Sequence, residues 1–368
     1  MAGALRNQSK QVKQNKLITL AGSLLMLSML LGLAGCEALG YYGQAASGQL
    51  YILTHKQDIG SMLKAADTPQ DLKSRLQTIR QLLAFAETEL QLPAAGQFNS
   101  YVDLQRPYVV WSVFAAPEFS IEPLSWCFPV AGCVPYRGYF QEAAALATRD
   151  KLQEQGLDVY VGGVSAYSTL GWFSDPVLST IIEREPAQLA SLLFHELAHQ
   201  VAYASGDTEF NESFATAVEQ AGLQHWIAAT HGKTEGKAVL ESLHAEELHR
   251  DQFVALVQGA VSDLEQLYLS AQPSSLMREL KQKRIERLRA DYQQLQQHWD
   301  GQSPYEHWFA QPINNAQLAT VMTYNRLVPA FVTILQRCQG RFPCFYAEAQ
   351  RLARLSREAR HAALATLL

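Results

Sequence analysis

The sequence predicts an α+β fold, predominantly α-helical, with a small β-sheet and a helical C-terminal half. Three observations carry this. Residues 69–91 repeat apolar side chains at helical spacing, residues 101–140 hold short β-branched and aromatic runs broken by Pro and Gly, and from Pro186 onward the pattern is almost continuously helical. Composition agrees, since 368 residues with 48% hydrophobic and 18% charged residues exclude a disordered chain or a coiled coil. With 30 Lys and Arg against 35 Asp and Glu, the net charge is −5, which argues against a nucleic-acid partner.

The first 35 residues hold Arg6, Lys10, Lys13 and Lys16 and no acid, followed by an apolar run from Leu17 to Gly35. A basic segment, an apolar segment and small residues at the end have the form of a secretory signal. Leu33-Ala34-Gly35-Cys36 resembles the lipobox of bacterial lipoproteins, which implies a signal peptide over residues 1–35 and a mature chain that begins at an acylated Cys36. In such lipoproteins an aspartate after the cysteine marks retention at the inner membrane. Glu37 stands there instead, so the expected location is the cell envelope, lipid-anchored at the outer membrane and facing the periplasm. The acyl chains would hold a soluble domain at the bilayer without a spanning helix.

The mature chain then reads in order. Leu72, Leu76, Ile79, Leu82, Leu83 and Phe85 form one face of a helix, with Thr68 as the expected N-cap and Pro69 at its first position. YVDL and YVVWSVF read as short strands, Gln141 to Gln155 as a helix, and DVYVGGV as a strand made irregular at Gly162-Gly163. Helix breaks fall near Gly206, His231 to Lys233, Pro273, Pro304 and Pro343. There is no repeat of fixed period, and residues 36–368 read as one domain whose helical portion from about residue 236 is a candidate subdomain. Cys127 and Cys133, and likewise Cys338 and Cys344, have five residues between them; two equal short spacings in an exported chain predict two local disulfides rather than a metal site.

One segment carries chemistry: LASLLFHELAHQVAYASGDTEFNESFATAVEQAG. On a helix, His195 and His199 lie one turn apart on one face, about 6 Å along the axis, so both imidazoles can reach one ion. Glu196 projects about 100° round the helix and can reach a water at that ion without being a ligand. Leu192, Leu193, Leu197 and Val201 seat the helix in a core. An open catalytic zinc site takes a third protein ligand, commonly a carboxylate beside two histidines. After the break at Gly206, a second, antiparallel helix starting near Asp207 would return Glu212 beside His199.

HELAHQ followed by NESFA resembles the gluzincin metallopeptidases. The mature chain as a whole is similar to a proteobacterial lipoprotein family of zinc aminopeptidases, on GYYGQAASGQL, AYSTLGWFSDPVLST and NNAQLATVMTYNRLVPAF. The resemblance implies a zincin-like metallopeptidase fold, Zn2+ as cofactor and a peptide substrate. Two departures stand out: only twelve residues separate His199 from Glu212, and Thr216 occupies the position, four after Glu212, where thermolysin-like enzymes carry an aspartate that orients a ligand histidine. The expected function is a zinc-dependent peptidase, an aminopeptidase, with His195, His199 and Glu212 as ligands and Glu196 as the base that activates water. The alternative is a non-catalytic envelope lipoprotein that binds peptide or assists assembly.

Related zincins direct a Tyr or His at the developing oxyanion. Tyr324 is the candidate here and Tyr167 the runner-up, with the segment around Tyr167 as the edge strand for an extended peptide and Trp172 as a pocket residue. Arg278, Lys281, Lys283, Arg284, Arg287 and Arg289 are interleaved with acids and read as a solvated face. His244 and His249, five apart, do not share a helical face and are assigned no metal.

Overall fold

The structure is a computed structural model that describes residues 39–128, 132–166, 174–299 and 303–368. It divides into two compact units, Met1–Thr54 and His55–Leu368. In the first unit, residues 39–54 form helix α1, an uncharged helix that exposes Leu39, Tyr42 and Leu50.

The second unit is mostly helical, as the apolar periodicity predicts. It opens with β1 (Gln57–Asp58), α2 (Ile59–Lys64) and α3 (Gln70–Thr88). Helix α3 buries Leu76, Ile79, Leu82 and Leu83, the predicted face. Its cap differs from expectation. Pro69 is the residue before the helix rather than its first, and no side chain caps it.

Two small sheets follow. In the first, β2 (Ser100–Val102) lies between β1 and β8 (Val177–Leu178). In the second, β3 (Val110–Pro117) lies between β6 (Tyr136–Tyr139) and β7 (Leu157–Val164), all antiparallel. Between them β4 (Trp126–Phe128) and β5 (Gly132–Val134) form a ribbon in which Cys127 stands opposite Cys133 and is bonded to it. The expected irregularity at Gly162-Gly163 is absent. Both residues pair in register with Ser112 and Trp111. The reason for glycine is the ring of Tyr108, since a Cβ at 163 would lie 2.4 Å from it.

Helix α4 (Glu142–Glu154) packs on β3 and β7. After β8 come α5 (Ser179–Ile182), α6 (Pro186–Ala198) and α7 (Thr208–Thr230). Every third or fourth residue of α6 and α7 is apolar, and Leu189, Leu193, Phe194, Leu197, Phe210, Phe214 and Val218 are buried in the main core. The two helices cross closely at Gly222, where a Cβ would stand 2.9 Å from both Leu90 Cδ1 and Phe194 Cδ2.

A long hairpin of α8 (Lys233–Leu269) and α9 (Ser274–Gln296), with α10 (Glu306–Ala310), encloses a second core of Phe253, Val257, Leu264, Leu288 and Tyr292. The chain ends in α11 (Asn315–Asn325), α12 (Val328–Arg337), α13 (Phe342–Ala353) and α14 (Arg357–Ala365), with Cys338 bonded to Cys344 between α12 and α13. Helix α11 covers the sheet face that carries Phe114 and Ala116.

Among the basic side chains of α9, Arg278, Lys283 and Arg287 are exposed, as a solvated face requires, but Lys281 and Arg284 are not, which corrects the reading from charge pattern for those two. Lys281 is buried and holds Asp158 at 2.6 Å and the Glu118 carbonyl at 2.9 Å. Arg284 pairs with Asp263, Arg278 with Glu118, and Arg289 donates to the Phe309 and Gln311 carbonyls. Asp158 also accepts from the Asn315 N–H, so this network ties the hairpin, the sheet and the start of α11 together. Burial of these side chains could not be read from the alternation of signs, because the partners come from four separate segments, around Glu118, Asp158, Asp263 and Phe309.

Candidate metal centre

Helix α6 starts with Pro186 in its first turn, where the missing N–H costs nothing, and its last turn carries His195 and Glu196; His199 follows as its cap residue. The chain then turns through Ala204 and Gly206, the latter at φ 79°, a left-handed conformation natural to glycine. Asp207 caps α7, accepting from the Phe210 N–H at 3.2 Å. Asn211 closes the turn from the other side. Its Oδ1 accepts from the Ala204 N–H at 2.7 Å, and its Nδ2 donates to the Ala204 carbonyl at 3.0 Å. The two helices therefore run back antiparallel, and Glu212 meets both histidines.

His195 Nε2 lies 3.3 Å from Glu212 Oε2, and His199 Nε2 lies 3.9 Å from the same oxygen. One ligand atom from each of His195, His199 and Glu212 falls within 4.8 Å of the others. Ligands 2.0–2.1 Å from a tetrahedral zinc stand about 3.4 Å apart, so the three groups fit one ion with little movement. The two imidazoles are nearly perpendicular, with ring centroids 4.9 Å apart. Their side chains are 16% and 8% exposed, and that of Glu212 is 13% exposed, so the three groups are largely shielded from solvent.

The electrostatics favour a cation. Burial pushes His199 down to about 4, with Glu212 opposing and His195 adding to the shift, so at neutral pH its lone pair is free to bind a metal. Burial would also lower His195, but hydrogen bonds with Glu212 and Glu219 and their charges raise it well above the ordinary histidine range. Glu212 would be raised by burial, yet the two histidines draw it below the usual carboxylate range. Glu196 is pushed up to about 7, chiefly by burial and further by Glu212, Asp175 and Glu219, while His195 opposes.

Tyr324 sits in the last turn of α11. Burial raises its hydroxyl far above the ordinary tyrosine range, and Glu212, Tyr136, Glu196 and Tyr160 add to the shift, which puts it in the electrostatic neighbourhood of both carboxylates. Tyr136 and Tyr160 flank Phe114 across the sheet, with ring centroids 5.4 and 6.3 Å from it. Tyr167, Trp172 and Cys36 lie outside the described residues. His244 and His249 are not among the three residues that converge as metal donors.

Three residues near the site escaped sequence reasoning. Glu219 Oε2 lies 3.1 Å from His195 Nδ1, on the side of the ring away from Glu212. It follows Glu212 by seven residues, two turns of the same face, and that spacing was a usable signal. Tyr203, whose hydroxyl is raised by burial and by Glu212, lies in the turn between the helices. Asp175, buried just before β8, acts on Glu196 by its charge. Neither of these two has a pattern that spacing would reveal.

Residues 40–364 match the family model described as "Putative aminopeptidase". The chain belongs to that family. The match runs from α1 into α14 and so takes in the whole constellation of α6, α7 and α11. No curated protein and no solved structure matches the chain. Membership of an aminopeptidase family agrees with a donor set of two histidines and a glutamate beside a raised carboxyl.

Proposed function

We propose that the protein is a zinc-dependent aminopeptidase of the gluzincin type. The observation that carries this reading is the convergence of His195, His199 and Glu212, with Glu196 next to His195 in the chain and within the electrostatic reach of His195 and Glu212. Zinc bound by those groups would supply Lewis-acid chemistry and an acidified water. Two imidazoles and one carboxylate suit zinc among the common divalent ions and leave a fourth position open.

The remaining steps belong to the chain. Glu196 takes a proton from the water that attacks the peptide carbonyl and returns it to the departing amine, and a carboxyl held at about 7 is suited to both transfers. Tyr324, neutral throughout because its hydroxyl is raised, donates a hydrogen bond to the oxygen on which charge develops. The carboxylates of Glu212 and Glu219 balance the positive charge on the opposite side. Cys36 anchors the mature chain by lipid at the outer membrane, on the strength of LAGC after a basic and apolar leader, and the two disulfides suit an oxidising compartment.

The test measures zinc content and hydrolysis of peptides with free or blocked N-termini, for wild type and Glu196→Ala. Zinc in both proteins, with cleavage by wild type alone and of free N-termini alone, is the expected result. Cleavage of blocked peptides would make the enzyme an endopeptidase. Stoichiometric zinc without cleavage would replace the enzyme by a peptide-binding lipoprotein.

A further inference from the structure

We infer that Glu219 is a positioning residue for His195, fixing its ring so that Nε2 presents its lone pair to the metal; this rests on the reading of the site as a metal centre. The imidazole of His195 stands between two carboxylates, Glu219 Oε2 at 3.1 Å from Nδ1 and Glu212 Oε2 at 3.3 Å from Nε2. Each ring nitrogen thus faces a different role. Glu219 accepts from Nδ1–H, which selects the tautomer with an unprotonated Nε2 and holds the ring plane toward Glu212.

The arrangement is asymmetric. Among the described residues, His199 Nδ1 is buried with no hydrogen-bond partner, whereas His195 Nδ1 faces a carboxylate. One turn after Glu212, the residue is Thr216, which has no charge to give. The acid that reaches the histidine lies almost a turn further along, on the same face of α7. The Glu219 side chain is 30% exposed, so its effect on fold stability through the ion pair alone is small, and its main effect falls on the ligand.

The experiment measures zinc affinity of the full-length protein by chelator competition, and the visible spectrum of the cobalt-substituted protein, for wild type, Glu219→Gln, Glu219→Ala and His195→Ala. Outer carboxylates of metal-bound histidines contribute roughly 10- to 100-fold in affinity. Glu219→Ala is expected to lose affinity in that range and to shift the cobalt spectrum. Glu219→Gln, whose amide oxygen still accepts from Nδ1–H, should fall between it and wild type, and His195→Ala should lose most. Wild-type affinity and spectrum in Glu219→Ala would overturn the inference while leaving the metal site standing. Should that variant not fold, the near-isosteric Glu219→Gln decides alone, and equality with wild type overturns the inference. If wild type takes up no zinc, the metal reading itself fails, and Glu219 loses its role with it.

Discussion

Asn211 grips the backbone of Ala204 with both ends of its amide, accepting from the N–H at 2.7 Å and donating to the carbonyl at 3.0 Å. This single side chain closes the turn between α6 and α7, the two helices that carry the candidate ligands. It also explains why an asparagine precedes Glu212. Removing it strands two buried backbone groups, each at a cost of about 1–3 kcal/mol. Asn211→Ala is therefore expected to lower stability by about 2 kcal/mol or more in urea unfolding and to weaken metal uptake. An unchanged unfolding midpoint would show that the turn closes without it.

The C-terminal helix clamps the same region. Arg360 holds Asp207 at 2.8 Å with both side chains out of solvent, at 4% and 0% exposure, and also donates to the Ala353 and Leu355 carbonyls. Breaking a buried pair costs up to about 3–5 kcal/mol, less here by what His361, 2.9 Å from Asp207, still supplies. Arg360→Ala should lose stability of that size, and Arg360→Ala with Asp207→Asn should recover part of it. Additive losses in the double variant would separate the two residues energetically.

Acid should find the same clamp. Burial would raise the Asp207 carboxyl, but hydrogen bonds from His361 and Arg360 and the charge of His361 hold it below the usual carboxylate range. A group whose folded pKa is depressed stabilises above its unfolded pKa, and that contribution disappears as pH falls through the folded value. Stability from Asp207 is thus complete at neutral pH and is lost below about pH 4, the unfolded carboxylate value. Asp207→Asn should show a shallower fall of stability over that acid range than wild type; parallel acid-unfolding curves would refute this.

How much of this could be read from the chain alone is clear from individual residues. His195, Glu196 and His199 are close in sequence and share a helix, so period and spacing place them, and Gly206 announces the turn that returns Glu212. Glu219 was missed because a glutamate in mid-helix ordinarily faces water, and only the crossing of α6 on α7 turns it toward a ring nitrogen. Lys281 was misread for the same reason: its partners Asp158 and Glu118 are more than a hundred residues away. YVDL, YVVWSVF and DVYVGGV mark β2, β3 and β7 by their β-branched residues, whereas the two-residue strands β1 and β8 carry no such pattern and the order β6-β3-β7 depends on pairings that no local pattern encodes.

The bond between Cys338 and Cys344 closes a short loop between α12 and α13, six positions apart. On the loop-entropy estimate such a closure contributes about 2 kcal/mol. Cys338→Ser with Cys344→Ser should lower the unfolding free energy by that amount while leaving zinc affinity unchanged, because α12 and α13 carry none of the three ligands. A parallel loss of zinc would instead couple this loop to the metal site.

Gly222 has a wider meaning than a snug crossing. It stands ten residues along α7 from Glu212, about 15 Å down the axis, at the point where a single added methyl would press on Leu90 and Phe194. The absence of a side chain at this position is what lets the ring of Phe194 on α6 approach the backbone of α7, the helix that also carries Glu212. Volume added at position 222 would therefore have to be taken up by Leu90, by Phe194 or by the spacing of α6 and α7, with the three candidate ligands left untouched.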